Sequence, residues 1–317
     1  MKHIVTGGTG FIGSTLVNRL LEEGHQVVVI DNFSSSGGEL LQHHEGNDSL
    51  EILRGDISYI KTQTDLHLKL TKAFEGVDTV FHLAARARVQ PSIEEPVFFN
   101  ATNVEGTLNM LEYSRHAGVR RFVFTSSSSL YGDTDIFPTP EEAPTKPLSP
   151  YGLQKLIGEE YCRLYSRLHQ LETVCLRYFN VYGENFPTSG AYCLVMGNFS
   201  QQLSKGENLK IYGDGEQRRD FTYVGDVVEA NILASESDKV GKGEALNIGN
   251  GDNRSVNDIA KIFIEHSQLT NPEIGIDYLP ARTEPLATLA DNSKAKKLLG
   301  WSPSADVTDW LRNHLKK

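Results

Sequence analysis

Cysteine is nearly absent from this chain. The three present in 317 residues, Cys162, Cys175 and Cys193, are odd in number and far apart. That excludes a disulfide framework and supplies no metal-ligand spacing, so no metal is expected. Cys162 and Cys175 fall in apolar-periodic segments and read as buried thiols. Apolar runs approaching twenty residues are also missing, which leaves no candidate for a membrane-spanning helix. Met1-Lys2-His3 leads straight into a patterned segment without an apolar signal region, so the expected location is the cytoplasm. No Lys/Arg-rich run occurs and the formal net charge is −10, a balance that argues against a nucleic-acid partner.

What is present is an alternation. HIVTGG, HQVVVIDN, LEILRGD, DTVFHLAA, RRFVFTSSS and TVCLRYFN are short and rich in Val, Ile, Leu and Phe, and longer amphipathic stretches separate them. Strands apolar at successive positions suit a parallel sheet covered on both faces, and the alternation indicates βαβ units. The expected fold class is therefore α/β, a doubly wound parallel sheet of Rossmann type over residues 1–180, with a smaller C-terminal substrate-binding lobe over 181–317. Within the latter, residues 220–250 are patterned strongly enough to return to the first domain. Ser34 to Asp48, carrying SSSGG and HHEGND, reads as a solvated loop.

The glycines of VTGGTGFIG, residues 5–13, follow a strand and open a helical pattern. Glycine allows the tight turn and close backbone approach, and the helix start offers free N–H groups and positive dipole to a pyrophosphate. Gly7, Gly10, Phe11, Ile12 and Gly13 are thus candidate cofactor contacts. Asp31 closes the second apolar run, where a carboxylate accepts hydrogen bonds from both ribose hydroxyls and repels a 2′-phosphate. The cofactor this predicts is NAD. In YGLQK, residues 151–155, Tyr151 and Lys155 project from one helix face a turn apart. An ammonium beside a phenol favours the phenolate and makes a base. Another face of the same helix carries Leu153, Ile157, Tyr161, Leu164 and Leu168, a stripe suited to the core or to a twin subunit. TSSSSLYG, residues 125–132, follows the strand RRFVF and so lies at a strand's carboxyl end, where α/β proteins bind ligands.

Together GxxGxxG with Asp31, YxxxK, RYFNVYG at 177–183 and GDGEQRRDF at 213–221 resemble the extended short-chain dehydrogenase/reductases, and among them the nucleotide-sugar epimerases typified by UDP-glucose 4-epimerase. The resemblance spans Val5 to about Trp301. It implies Ser127 as a contact to the reacting hydroxyl, with Tyr151 as base and Lys155 as its electrostatic partner. It implies cofactor contacts from Asn32, Asp56, Ile57, Leu83, Ala84, Ala85, Thr125 and Tyr178. For a UDP-sugar it implies Asn180, Arg219 and Arg282 on the phosphates, Glu284 on the uridine ribose, and Val195, Ile211 and Tyr212 around the uracil. Arg88 sits where many relatives have a small residue facing the sugar; an acidic substituent, phosphate or another subunit are the open choices. A homodimer through the Tyr151 helix and the Val104, Leu108, Leu111, Tyr113 pattern is a further implication.

The C4 hydrogen of a hexose is not acidic, so inversion there needs a transient 4-keto sugar and a bound hydride acceptor. NAD-dependent 4-epimerisation of a UDP-hexose is the expected activity, on UDP-glucose and UDP-galactose, with Thr288 leaving room for N-acetyl forms. The alternatives are UDP-glucuronate 4-epimerisation, dehydration or decarboxylation of a nucleotide sugar, and a non-enzymatic NAD-binding sensor. GEN at 183–185 lacks the arginine of a GPR sequence, and Ser128 and Ser129 stand where dehydratases carry Asp and Glu. Retention of YxxxK separates the chain from a sensor.

Overall fold

The fold is a computed structural model that describes residues 1–60, 64–187, 195–268, 271–281 and 284–316. Its first half runs β1 (Lys2–Thr6), α1 (Phe11–Glu22), β2 (Gln26–Asp31), β3 (Leu50–Arg54), α2 (Thr64–Ala73), β4 (Thr79–His82), α3 (Val89–Glu94), α4 (Pro96–Asn100), α5 (Thr107–Ala117), β5 (Arg121–Ser127), α6 (Pro150–His169) and β6 (Glu172–Tyr178). The second half adds β7 (Val181–Tyr182), α7 (Val195–Ser204), β8 (Leu209–Tyr212), β9 (Arg218–Arg219), β10 (Thr222–Tyr223), α8 (Val224–Glu236), β11 (Lys242–Ile248), β12 (Arg254–Ser255), α9 (Val256–Ser267), β13 (Ile276–Leu279), α10 (Ser293–Leu299) and α11 (Val307–His314).

Seven strands form one sheet in the order β11-β6-β5-β4-β1-β2-β3, and every neighbouring pair is parallel. The chain moves outward from β1 through β2 and β3, then crosses back to β4 on β1's other side. That reversal opens a crevice at the carboxyl ends of β1 and β4, the place where open α/β sheets bind ligands. β11 closes the far edge against β6, so part of the chain beyond residue 220 belongs to this sheet.

The consecutive apolar residues of each strand divide between two cores because side chains alternate across a sheet. Val5, Val29, Phe81, Val123 and Leu176 pack on one face with α1 and α8. Ile4, Val28, Val80, Phe122, Phe124 and Cys175 pack on the other with α2, α5 and α6. A third core, around Phe199, Leu209, Ile211, Ile259 and Phe263, holds the smaller lobe together. Ala295, Leu299 and Trp301 come from late in the chain yet join the first core, and the Trp301 indole N–H donates to the Asp226 carbonyl at 2.8 Å.

One expectation is corrected here. Ser34 to Asp48 is not wholly a loop: a 3-10 helix occupies Glu39–His44 and its Leu41 is 2% exposed. One buried leucine anchors a segment whose polar composition conceals it. Of the two readings open for the α6 stripe, core or twin subunit, neither takes the whole of it: its ends lie outward, with Leu153 and Leu168 47% and 59% exposed, while Tyr161 packs against the second core. The fully buried face carries Gly152, Lys155, Gly158, Glu159 and Cys162, with Tyr165 near its end. Among the described residues no helix is long and apolar enough to cross a membrane.

Candidate active site

The glycine turn joins β1 to α1. Gly7 adopts φ +70°, and a Cβ on Gly13 would stand 2.1 Å from the Gly7 carbonyl oxygen and 2.8 Å from the Gly8 Cα. The turn therefore closes only because both residues lack side chains. Gly10 differs: a Cβ there would meet the Gly7 oxygen at 3.4 Å and the Ser35 hydroxyl at 3.7 Å, ordinary contacts. The fold does not require glycine at position 10, which leaves a ligand approaching the turn as the physical reason for it. Gly10 caps α1 without a side-chain hydrogen bond, so Phe11 and Ile12 open the helix beneath that space. Asp31 is 7% exposed and tethers the turn, with Oδ2 accepting from the Thr9 amide at 3.0 Å and Oδ1 from the Phe33 amide at 2.8 Å. A carboxylate has about four acceptor directions, so capacity for ribose hydroxyls remains. These residues fit a dinucleotide.

The neighbouring strand ends continue the groove. Asn32 Nδ2 donates to Asp56 at 2.9 Å and the Ser58 amide donates to the other carboxylate oxygen at 2.9 Å. Burial alone would raise the Asp56 carboxyl, but those bonds and the Arg86 charge outweigh it and hold it below its usual range. Ile57 is 4% exposed and packs in the second core, leaving its backbone rather than its side chain at the groove. After β4, Leu83, Ala84 and Ala85 pass behind the glycine turn, where a Cβ on Gly7 would lie 2.8 Å from the Ala84 nitrogen. His82 below them is 1% exposed. Thr6 Oγ1 accepts from the Ala84 amide and lies 2.8 Å from His82 Nδ1, while Nε2 lies 3.0 Å from Thr107 Oγ1.

The Tyr151 helix starts where Ser149 Oγ accepts from the Gly152 amide at 3.2 Å, with Pro150 in the first turn. The Tyr151 amide donates to Ser92 Oγ at 3.1 Å, docking α3 against this start. Gly152 permits a close approach, since its Cβ would stand 2.5 Å from the Ser129 carbonyl oxygen. The end of β5 and the start of α6 are thus held together, and with them Ser127 and Tyr151. Lys155 Nζ donates to the Thr125 carbonyl at 2.8 Å and lies 5.9 Å from the Tyr151 ring centre. Burial pushes the Lys155 ammonium down to about 7. Ser127 Oγ accepts from the Ser129 amide at 3.2 Å and donates to Ser129 Oγ at 3.1 Å. On β6, burial raises the Tyr178 phenol to about 12, and its oxygen accepts from Thr125 Oγ1 at 3.2 Å and Asn231 Nδ2 at 2.6 Å.

Beyond β6, Asn180 at φ +22° donates through Nδ2 to the Asp220 carbonyl at 3.0 Å and to Thr288 Oγ1 at 3.3 Å. Arg219 pairs with Glu284 at 2.7 Å, and Gln217 Nε2 donates to the other Glu284 oxygen at 3.3 Å. Asn180 and Thr288 therefore meet at Asp220, whose amide donates to Thr288 Oγ1 at 3.1 Å, and the Arg219–Glu284 pair adjoins them along the chain. Tyr212 and Val195 are half-buried, but Ile211 is 1% exposed inside the lobe's core and offers no surface to a base. Arg88 takes φ +110° at the start of α3, a conformation costly for a residue with a side chain. Arg282 and Cys193 lie outside the described residues.

Several site-supporting residues were not anticipated. Glu159 is fully buried and forms a two-bond pair with Arg177, at 2.9 and 2.8 Å. Asn103 Oδ1 accepts from the Arg86 amide, and its Nδ2 donates to the Arg86 carbonyl and to Gln154 Oε1, all within 2.8–2.9 Å. A charged residue inside the apolar LRYF run was the available signal for Arg177; no local pattern marks Asn103.

Residues 3–249 match the NAD dependent epimerase/dehydratase family. The UDP-glucose 4-epimerase of Mycolicibacterium smegmatis is 36% identical over 312 residues, covering 98% of this chain and 96% of that one. The structure of Thermotoga maritima UDP-glucose 4-epimerase with UDP-glucose superposes with a TM-score of 0.89 at 36% identity, covering 100% and 98% of the two chains. Bacillus cereus UDP-glucuronic acid 4-epimerase, solved with UDP-glucuronic acid and NAD, gives 0.88 at 34% identity, covering 100% and 99%. With the glycine turn, Asp31 and the Tyr151–Lys155 pair on one sheet edge, the chain belongs to the NAD dependent epimerase/dehydratase family.

Proposed function

We propose that this protein is a UDP-sugar 4-epimerase that inverts C4 of a UDP-hexose through a transient 4-keto sugar. The observation that carries the reading is the junction of β5 and α6, where Lys155 Nζ donates to the Thr125 carbonyl and Gly152 lies against the Ser129 carbonyl, at the carboxyl edge of the sheet that also carries the glycine turn. Bound NAD supplies a two-electron acceptor able to take a hydride from C4 and give it back. Tyr151 removes the O4 proton and later returns it, and Lys155, fixed by the Thr125 carbonyl, stabilises the phenolate. Ser127 donates a hydrogen bond to O4 and gives up its present bond to Ser129 to do so.

In the same reading Gly7, Gly10, Phe11, Ile12 and Gly13 hold the pyrophosphate and Asp31 and Asn32 the adenosine ribose. Asp56 and Ile57 border the adenine, and Leu83, Ala84, Ala85, Thr125 and Tyr178 line the rest of the cofactor. Residues 1–180 with 220–250 form the cofactor domain, and the remainder of 181–317 holds the nucleotide. There Asn180, Arg219 and Arg282 bind the diphosphate, Glu284 the uridine ribose, and Val195 and Tyr212 the uracil. Arg219 is free to turn from Glu284 to phosphate, because a dianionic partner outbids one exposed carboxylate. Arg88 borders the sugar, and the short Thr288 side chain leaves space at C2. The exposed Leu153 and Leu168 support a homodimer formed through α5 and α6, and the enzyme is expected to act in the cytoplasm.

Tyr151→Phe is the test of this mechanism. It keeps the ring and removes the base, so UDP-sugar and NAD binding persist while turnover falls by about 100-fold or more. Retained activity in this variant refutes Tyr151 as the base.

A further inference from the structure

The three elements of the reaction centre share one buried ion pair. Glu159 lies on α6, one turn beyond Lys155 and two beyond Tyr151. Its Oε1 accepts from Ser126 Oγ at 2.6 Å, and Ser126 immediately precedes Ser127 on β5. Both carboxylate oxygens accept from Arg177, which immediately precedes Tyr178 on β6, and Oε2 also accepts from the part-exposed Arg163 of α6 at 3.2 Å. Arg177 Nη1 donates in turn to the Tyr131 hydroxyl at 2.7 Å and to the Glu141 carbonyl at 2.9 Å. The Tyr131 hydroxyl then donates to Asn247 Oδ1 at 2.7 Å on β11, and Asn247 Nδ2 reaches the Asp291 carbonyl at 3.1 Å, three residues past Thr288.

The pair is an expensive way to join a helix to a sheet. Glu159 is 0% and Arg177 2% exposed, and two charges taken from water are repaid only by excellent geometry and saturation of the remaining hydrogen-bonding groups. Apolar side chains of equal volume would hold α6 on the sheet about as well. They would not fix its rotation or height, since apolar contacts are non-directional, whereas a forked guanidinium on a carboxylate defines both.

The geometry points to Glu159 and Arg177 as positioning residues for the reaction, setting Tyr151 and Lys155 in register with Ser127 and Tyr178. This rests on the epimerase reading. A misplacement of order 1 Å at reacting groups costs about 100-fold in rate, so the pair governs turnover without touching substrate or cofactor.

Single and double replacements separate positioning from stability. Glu159→Met strands the buried Arg177 guanidinium, and Arg177→Met leaves the buried Glu159 carboxylate with the part-exposed Arg163 alone, so each lowers the Tm; Glu159→Met/Arg177→Met removes both buried charges, leaves Arg163 its pairing with Glu160, and recovers Tm and bound NAD. In the double variant kcat is expected to remain about 100-fold below wild type, with KM for the UDP-sugar changed less than about threefold. A double variant with wild-type kcat overturns the inference. Ser126→Ala provides an independent arm that keeps the ion pair and cuts only its link to β5. There a fall in kcat of about tenfold at unchanged Tm is expected, and unchanged kcat overturns the inference even if the double variant fails to fold. A wild-type protein that converts no UDP-sugar refutes the epimerase reading instead.

Discussion

Acid should destabilise this protein through His82, while the Asp220 carboxyl, raised by burial to about 6, contributes with the opposite sign as pH falls. The imidazole is 1% exposed between Thr6 and Thr107. Because the Thr107 hydroxyl donates to the Asn103 carbonyl at 2.8 Å, its oxygen accepts from Nε2–H, which leaves Nδ1 to accept from the Thr6 hydroxyl. Protonating Nδ1 would oppose two donors. Burial, aided by the Lys155 charge, holds the His82 pKa down to about 3 against an ordinary 6.5. The folded value lies below the unfolded one, so the stability this group contributes is complete above 6.5 and is lost as pH falls toward 3. Each pH unit in that window costs about 1.4 kcal/mol, which gives about 2 kcal/mol between pH 6.5 and 5 and about 5 kcal/mol by pH 3. His3, held near 4 by burial and by His25, adds loss of the same sign. Urea unfolding of wild type and His82→Gln at pH 7, 6 and 5 measures the effect. The wild-type free energy should fall about 2 kcal/mol further than the variant's over this range. Parallel pH profiles would refute the assignment of a neutral buried imidazole. Since His82 directly precedes the Leu83–Ala85 segment, NAD release should accompany the acid loss.

The turn separates two glycine roles. Gly13→Ala meets backbone at 2.1 Å and should destabilise the apo protein by about 1–3 kcal/mol as well as expel NAD, read as a lower apo Tm. Gly10→Ala meets only ordinary contacts, so its apo Tm should match wild type while NAD content falls; equal behaviour of the two variants contradicts the distinction. Arg219→Met removes charge-assisted bonds to the diphosphate and should weaken UDP binding by about 10- to 100-fold in calorimetry, with NAD content unchanged. Undiminished UDP affinity would take Arg219 out of the nucleotide site.

How far the sequence announces this arrangement depends on the range of the interaction. VTGGTGFIG and Asp31 are legible because the turn is made by contacts within a few residues and one adjacent strand. Strand runs such as HQVVVID are legible because burial on both faces leaves them continuously apolar. Tyr151 and Lys155 share a helix face by spacing, and it is the glycine turn and the run of strands before them that make the pair stand out. Glu159 is not: four residues after Lys155 on an amphipathic helix it looks like a solvated charge, and only the approach of Arg177 from a separate strand makes it a core residue. Leu41 is hidden by the glycines and histidines around it. The α6 stripe has a period that suits a core or a subunit contact alike, and only the packing of Gly152 and Gly158 against the sheet side leaves Leu153 and Leu168 outward. Ile211 follows from the same limit, because motif position does not say which of two neighbouring side chains points into the lobe.

The central claim is that hydride leaves C4 and returns to it within one closed site. Incubating the protein with UDP-glucose carrying deuterium at C4, in ordinary water and without added NAD, tests this directly. UDP-galactose that keeps its deuterium at C4 is the predicted product. Loss of the label to solvent, or no inversion of UDP-glucose, UDP-N-acetylglucosamine or UDP-glucuronate even with NAD supplied, would contradict it.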